Sequence, residues 1–236
     1  MKIDVSMRSI DADAADSPGP ATAIDWGTRI RQRLVNTSPR HAVDDWIVPG
    51  LSLQQSRAYL RFFPAAPIPA AVLIPLIERE SQLTVLLTQR ASHLKNHAGQ
   101  ISFPGGRIER IDDGPRAAAL REAREEIGLD PDCVTVAGYL PDHVIISGFL
   151  VTPVVGFVRP GFALRLDTQE VQSTLEVPLS HLFEPANHRR RRRRLGSGEA
   201  ELEVLDIPFG EHNIWGATAG MMLTLYRTCL EDAADG

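Results

Sequence analysis

The stretch from Phe103 to Leu129, FPGGRIERIDDGPRAAALREAREEIGL, narrows the possible folds of this chain more than any other. A glycine pair, Gly105 and Gly106, follows a short apolar strand candidate and leads through an acidic turn at Asp112 and Asp113 into a helix. Asp113 or Gly114 suits the N-cap, Pro115 suits the first turn, and Gly128 closes the C-terminus, so the helix is predicted over Pro115 to Ile127. At ~100° per residue, Glu122, Glu125 and Glu126 share one face, while Leu120 and Ile127 lie roughly opposite. One face is core and the other is carboxylate.

Like charges at this spacing cost an isolated helix on the order of 0.2–0.5 kcal/mol per pair. A bound cation reverses that sign. Mg²⁺ takes carboxylate and carbonyl oxygens and keeps places for water and substrate phosphate. Glu122, Glu125 and Glu126, with the carbonyl of Gly106, form a candidate set for Mg²⁺ or Mn²⁺. An acidic helix face by itself is more often simply solvated.

Residues 121–129, REAREEIGL, match the Arg-Glu-apolar-x-Glu-Glu-x-Gly-apolar core of the Nudix box, and FPGG stands upstream where that family has its glycine. The chain therefore resembles the Nudix hydrolases. The family spacing, counted back from Arg121, puts Asp113 in the glutamate place and Arg107, not Gly106, in the glycine place. The loop is one residue longer than the family's, with aspartate for glutamate, which leaves the roles of Asp112 and Asp113 open.

From Leu86 the chain reads LLTQRASHLKNHAGQISFPGG, which resembles the additional motif of coenzyme A pyrophosphatases within that family. Lys95 stands where the motif usually has arginine, keeping the charge but losing the planar fork. The two motifs together cover Leu86 to Leu129. The resemblance implies an α/β/α Nudix sandwich with a mixed β-sheet. It also implies divalent-metal-dependent hydrolysis of the pyrophosphate bond of coenzyme A or its acyl derivatives. Arg121, Glu122, Glu125 and Glu126 are its catalytic residues, and Arg90, Lys95, His97 and Phe103 its substrate contacts. Nudix enzymes often add a carboxylate from outside the box, as metal ligand or base, and Glu170 is the candidate here, with Glu176 behind it.

Two other readings stay open. One is a Nudix pyrophosphatase for ADP-ribose, dinucleotides or oxidised nucleotides; the other is a non-catalytic Nudix-fold module that binds nucleotide or RNA. A net charge of −5 argues against nucleic acid held by the overall field. The run Arg189 to Arg194 reads as a solvated loop at a hairpin tip, because like charges repel.

The remainder is organised around this unit. Residues 1–20, rich in Ala, Asp and Ser, read as a disordered leader, 21–62 as a helical extension with an amphipathic helix near 23–34, and 63–236 as the catalytic domain. Strands are predicted at Ala70–Glu78 and Leu83–Thr88 as a hairpin, then at Ile101–Phe103, Val134–Leu140, Phe149–Val158, from Glu170 and from Glu199. A packed helix is predicted over Ile214–Leu230, with Glu211 and His212 just ahead of it. Cys133 and Cys229 make no disulfide framework, and no apolar run reaches the ~20 residues of a membrane span, so the protein reads as cytoplasmic, acting on a small molecule as monomer or homodimer.

Overall fold

The computed structural model describes residues 24–39, 45–63, 66–94, 97–194 and 201–230. At its centre lies strand β1 (Ile68–Glu78), IPAAVLIPLIE, whose near-continuous apolar run suits a strand covered on both faces. β1 pairs in parallel with β7 (Phe149–Val158) and antiparallel with β2 (Leu83–Arg90) and β4 (Gly105–Arg107). β3 (Ile101–Ser102) and β8 (Val171–Pro178) join β2, while β5 (Val134–Tyr139) and β6 (His143–Val144) join β7. The result is an eight-stranded mixed sheet.

Alternation along β1 divides the core into two layers. Ala71, Leu73 and Ile77 face helix α3 (Gly114–Ile127), which meets them with Ala118, Ala119, Ala123 and Ile127. Three alanines let this helix lie close to the sheet. Ala70, Ile74 and Leu76 face the other way, toward helices α1 (Trp26–Leu34), α4 (Leu179–Phe183) and α5 (Gly216–Leu230). A further helix, α2 (Leu53–Tyr59), is closed by a capping box between Ser52 and Gln55. The helix of the N-terminal extension packs into the main core, with Ile30 and Leu34 fully buried and Trp26 set edge-on against Phe183.

A second sheet was not foreseen. Strands β9 (Arg189–Arg194), β10 (Glu201–Phe209) and β11 (His212–Trp215) form it in the order β11-β10-β9. The arginine run is therefore an edge strand and not a solvated loop. The reason is neutralisation across the ladder: Arg190 pairs with Glu203 at 2.8 Å, and Arg191 forks onto the buried Asp206. Strand β11 also takes Ile214 and Trp215 from the predicted C-terminal helix, which starts at Gly216. The expected leader, residues 1–20, lies outside the described residues. Among those described, no helix is long and apolar enough to cross a membrane.

Candidate active site

Helix α3 starts at Gly114 behind Asp113 and ends at Gly128, which adopts φ 69° and donates its N–H to the Arg124 carbonyl at 2.9 Å. That fixes the azimuth of its three glutamates. Glu126 turns inward, with 4% of its surface exposed, and accepts from the Gly105 N–H at 3.3 Å. Glu122 lies against Gly106, where an added Cβ would stand 2.5 Å from its carboxylate, so this glycine is required by the close approach of β4 to the helix. Glu125 is the outermost of the three, its side chain 59% exposed.

Arg121 ties these groups together. Its guanidinium donates to Glu122 and Glu125, each at 2.9 Å, and to the Arg107 carbonyl at 3.0 Å. Its fork, however, goes to Asp112, at 2.9 and 3.0 Å. Asp112 also accepts from the Glu109 N–H at 2.8 Å, and its side chain is only 3% exposed. Asp113 makes no side-chain cap bond and is exposed. The longer loop is thus resolved: Asp112 is the partner of Arg121, with five residues between it and Gly106, and the additional residue falls between Asp112 and the arginine.

The electrostatics are those of crowded acids. Burial pushes Glu126 up to about 8, with the Glu122 and Glu170 charges adding to the rise and Arg90 opposing it. Burial also raises Glu122, against the pull of Arg121. Asp112 is held low by its bonds from Arg121. Glu170 stands close enough to repel both inner glutamates, and the backbone explains how: Asp167 N–H donates to the Glu126 carbonyl, and Ala91 N–H to the Glu170 carbonyl. A strap of chain ahead of β8 is thereby pinned to the end of α3. Glu176 is elsewhere, engaged by Arg79 and by Thr84 at 3.1 Å.

The proposed substrate contacts separate in space. Arg90 reaches the site, its guanidinium 4.0 Å from Glu126, and among the described residues its buried Nε has no hydrogen-bond partner. His97 is exposed in the loop before β3, with φ 58° and a 2.8 Å contact to Gln100. Phe103 is packed in the core at 4% exposure, so its ring supports the sheet and is not presented to a ligand, as its position in the motif had suggested. Lys95 lies outside the described residues. Glu211 and His212 belong to the β10–β11 turn and strand.

Among the described residues, no three His, Cys, Asp or Glu side chains close into a complete metal cage. Arg121 holds Glu122 and Glu125 on its own bonds. The donor set nevertheless fits a hard divalent cation: all oxygen, few protein ligands, and an inner carboxylate whose charge is opposed by burial and by two neighbouring acids. A cation there would oppose both the burial and the repulsion that raise Glu126.

The Nudix domain model matches residues 67–196, more than half of the chain. The chain belongs to the Nudix family. Two curated Nudix relatives, from Enterobacter sp. (strain 638) and Escherichia coli (strain K12), are both named as the uncharacterized Nudix hydrolase NudL. They are 40% and 41% identical to this chain over 161 residues, covering 66% of it and 80% of each relative. Among solved structures, a MutT/nudix family protein from Enterococcus faecalis aligns with a TM-score of 0.47 and 16% identity, covering 75% of this chain and 69% of that one. The sandwich is the Nudix fold, and the protein is a Nudix pyrophosphohydrolase.

Proposed function

We propose that this Nudix enzyme cleaves the pyrophosphate link of coenzyme A and its acyl derivatives, releasing 4′-phosphopantetheine, acylated where the substrate was, and adenosine 3′,5′-bisphosphate. The observation that carries this reading is the contact between Arg90 and Glu126, because it brings the motif of residues 86–106 against the box helix. Arg90 lies at the end of β2, and its guanidinium, part of a side chain 28% exposed, can donate to a phosphate oxygen.

The carboxylates of Glu122, Glu125 and Glu126, with the Gly106 carbonyl, would hold Mg²⁺ or Mn²⁺. When bound, such an ion supplies charge neutralisation at the pyrophosphate and a lowered pKa for the attacking water. Arg121 keeps Glu122 and Glu125 oriented and is itself oriented by Asp112, so it acts as a positioning residue. Glu170, an exposed residue near enough for its charge to act on both inner glutamates, is our choice for the carboxylate that takes the proton of the water. The water oxygen bonds to one phosphorus, and the bridging oxygen leaves with the other phosphate. A small-molecule substrate, action in the cytoplasm, and a monomer or homodimer complete the reading.

The test is incubation with Mg²⁺ and, separately, coenzyme A, acetyl-coenzyme A, ADP-ribose and NADH, with products identified by mass spectrometry. Adenosine 3′,5′-bisphosphate released faster than any product of the other two substrates supports the reading. Cleavage of ADP-ribose or NADH alone overturns it. Glu125→Gln should lower turnover by about 100-fold or more with the fold retained, as loss of a charge-stabilising group does; a module that only binds would show no such dependence.

A further inference from the structure

Beside the carboxylate face, α3 borders a cleft of ≈ 520 Å³ lined by Leu120, Arg124, Glu125, Pro131 and Arg165. It continues past Arg124, Glu125 and Arg165 into a second, of ≈ 560 Å³, that reaches Asp167. Glu125 therefore belongs at once to the proposed metal site and to this groove. Arg124 and Arg165 flank it as exposed guanidiniums, and among the described residues neither side chain has an ion pair or hydrogen bond.

Their juxtaposition is built by the backbone. The Arg165 N–H donates to the Ile127 carbonyl at 2.9 Å, and the Arg165 backbone packs so closely on Gly128 that a Cβ there would stand 2.9 Å from its nitrogen. A helix C-terminus ordinarily repels an anion through its bare carbonyls. Here those of Ala123, Arg124, Glu126 and Ile127 all accept N–H donors, from Leu129, Gly128, Asp167 and Arg165. The Glu125 charge is engaged by Arg121, and Asp167 accepts from the Gln169 N–H at 2.9 Å. The groove offers a ligand two guanidinium forks, beside the carboxylates of Glu125, which is paired with Arg121, and of Asp167.

We infer that Arg124 and Arg165 form a subsite for a phosphate monoester of the substrate, separate from the pyrophosphate that is cut. Resting on the proposed coenzyme A reading, that group is the 3′-phosphate of the adenosine half. The two arginines are then specificity residues. Two forks suit a dianionic phosphate better than a hydroxyl, and a hydrogen bond to a charged group contributes enough for about 10-fold to 100-fold in relative binding.

The test compares kcat/KM for coenzyme A and 3′-dephospho-coenzyme A, with Mg²⁺, in wild type, Arg124→Gln, Arg165→Gln and the double variant. Wild type should prefer coenzyme A by about 10-fold or more, mainly through KM. The double variant should bring the ratio to within about threefold of unity, with each single variant between, and with far-UV circular dichroism unchanged. Equal cleavage of both substrates by wild type overturns the subsite while leaving the coenzyme A reading standing. So does a double variant that keeps the preference. Cleavage of neither compound overturns the coenzyme A reading, and the subsite falls with it.

Discussion

Replacing Asp112 by Asn tests the register of the active-site loop directly. The side chain accepts two bonds from the Arg121 fork and one from the Glu109 N–H. Asn keeps the shape but turns an amide NH₂ toward the guanidinium, so at least one charge-assisted bond is replaced by a donor facing a donor. Breaking a deeply buried ion pair costs about 3–5 kcal/mol, and an exposed pair contributes at most about 1 kcal/mol. This pair lies between those limits: Asp112 is covered, but Arg121 is 18% exposed and keeps Glu122 and Glu125. The expected loss is about 2 kcal/mol at pH 7, read from urea unfolding followed by circular dichroism. Asp113→Asn, at an exposed cap without a side-chain bond, should stay within about 0.5 kcal/mol. The sign with pH is also determined. Asp112 is held below its ordinary 3.8, so its stabilisation is complete above that value and is lost as pH falls through the lower folded pKa. The gap between wild type and Asp112→Asn should therefore close on acidification below 3.8. An Asp113→Asn variant as costly as Asp112→Asn, or an Asp112→Asn variant without cost, would refute the assignment of Asp112 as the partner of Arg121.

Two further outcomes follow from packing and burial. At Gly106 an added methyl meets the flexible end of Glu122 at 2.5 Å, whereas at Gly105 it meets the Val72 backbone in the central strand at 2.7 Å. Gly106→Ala should keep its thermal midpoint within a few degrees and lose turnover. Gly105→Ala should lose the fold, as soluble yield and circular dichroism will show. His143 is fully buried between the Pro141 carbonyl and Thr224, and burial lowers its pKa to about 4. The unfolded chain takes a proton there near 6.5 and the folded one does not, so stability is full above 6.5 and declines toward 4. The slope approaches about 1.4 kcal/mol per pH unit. Imidazole NMR should show this ring still neutral at pH 5, and a titration with the exposed histidines would contradict the burial.

The local part of the site was legible in the residues. Helical period placed Glu122, Glu125 and Glu126 within one arc but not the inward turn of Glu126, which shares the buried face with Ala119, Ala123 and Ile127 while Leu120 is only half-buried; Pro115 and Gly128 marked the ends of the helix, and the apolar runs of β1, β2 and β7 announced the sheet. These signals are short-range, since a turn, a cap or a helix face is decided within a few residues. Which aspartate meets Arg121 was not legible, because an inserted loop residue can be absorbed on either side of the acid and only the path of the chain selects one. The arginine run misled for a related reason: repulsion along a strand is visible in the sequence, but Glu203 and Asp206 oppose it from the neighbouring strand. Phe103 looked available from its motif and proved to be core. In the strap that runs from Arg165, Glu170 was nominated only through the resemblance, and Arg165 had no sequence signal at all. The strap's place depends on N–H groups meeting the last carbonyls of α3, a contact between segments that share no local pattern, so only the tertiary structure sets Glu170 and Arg165 beside the box helix.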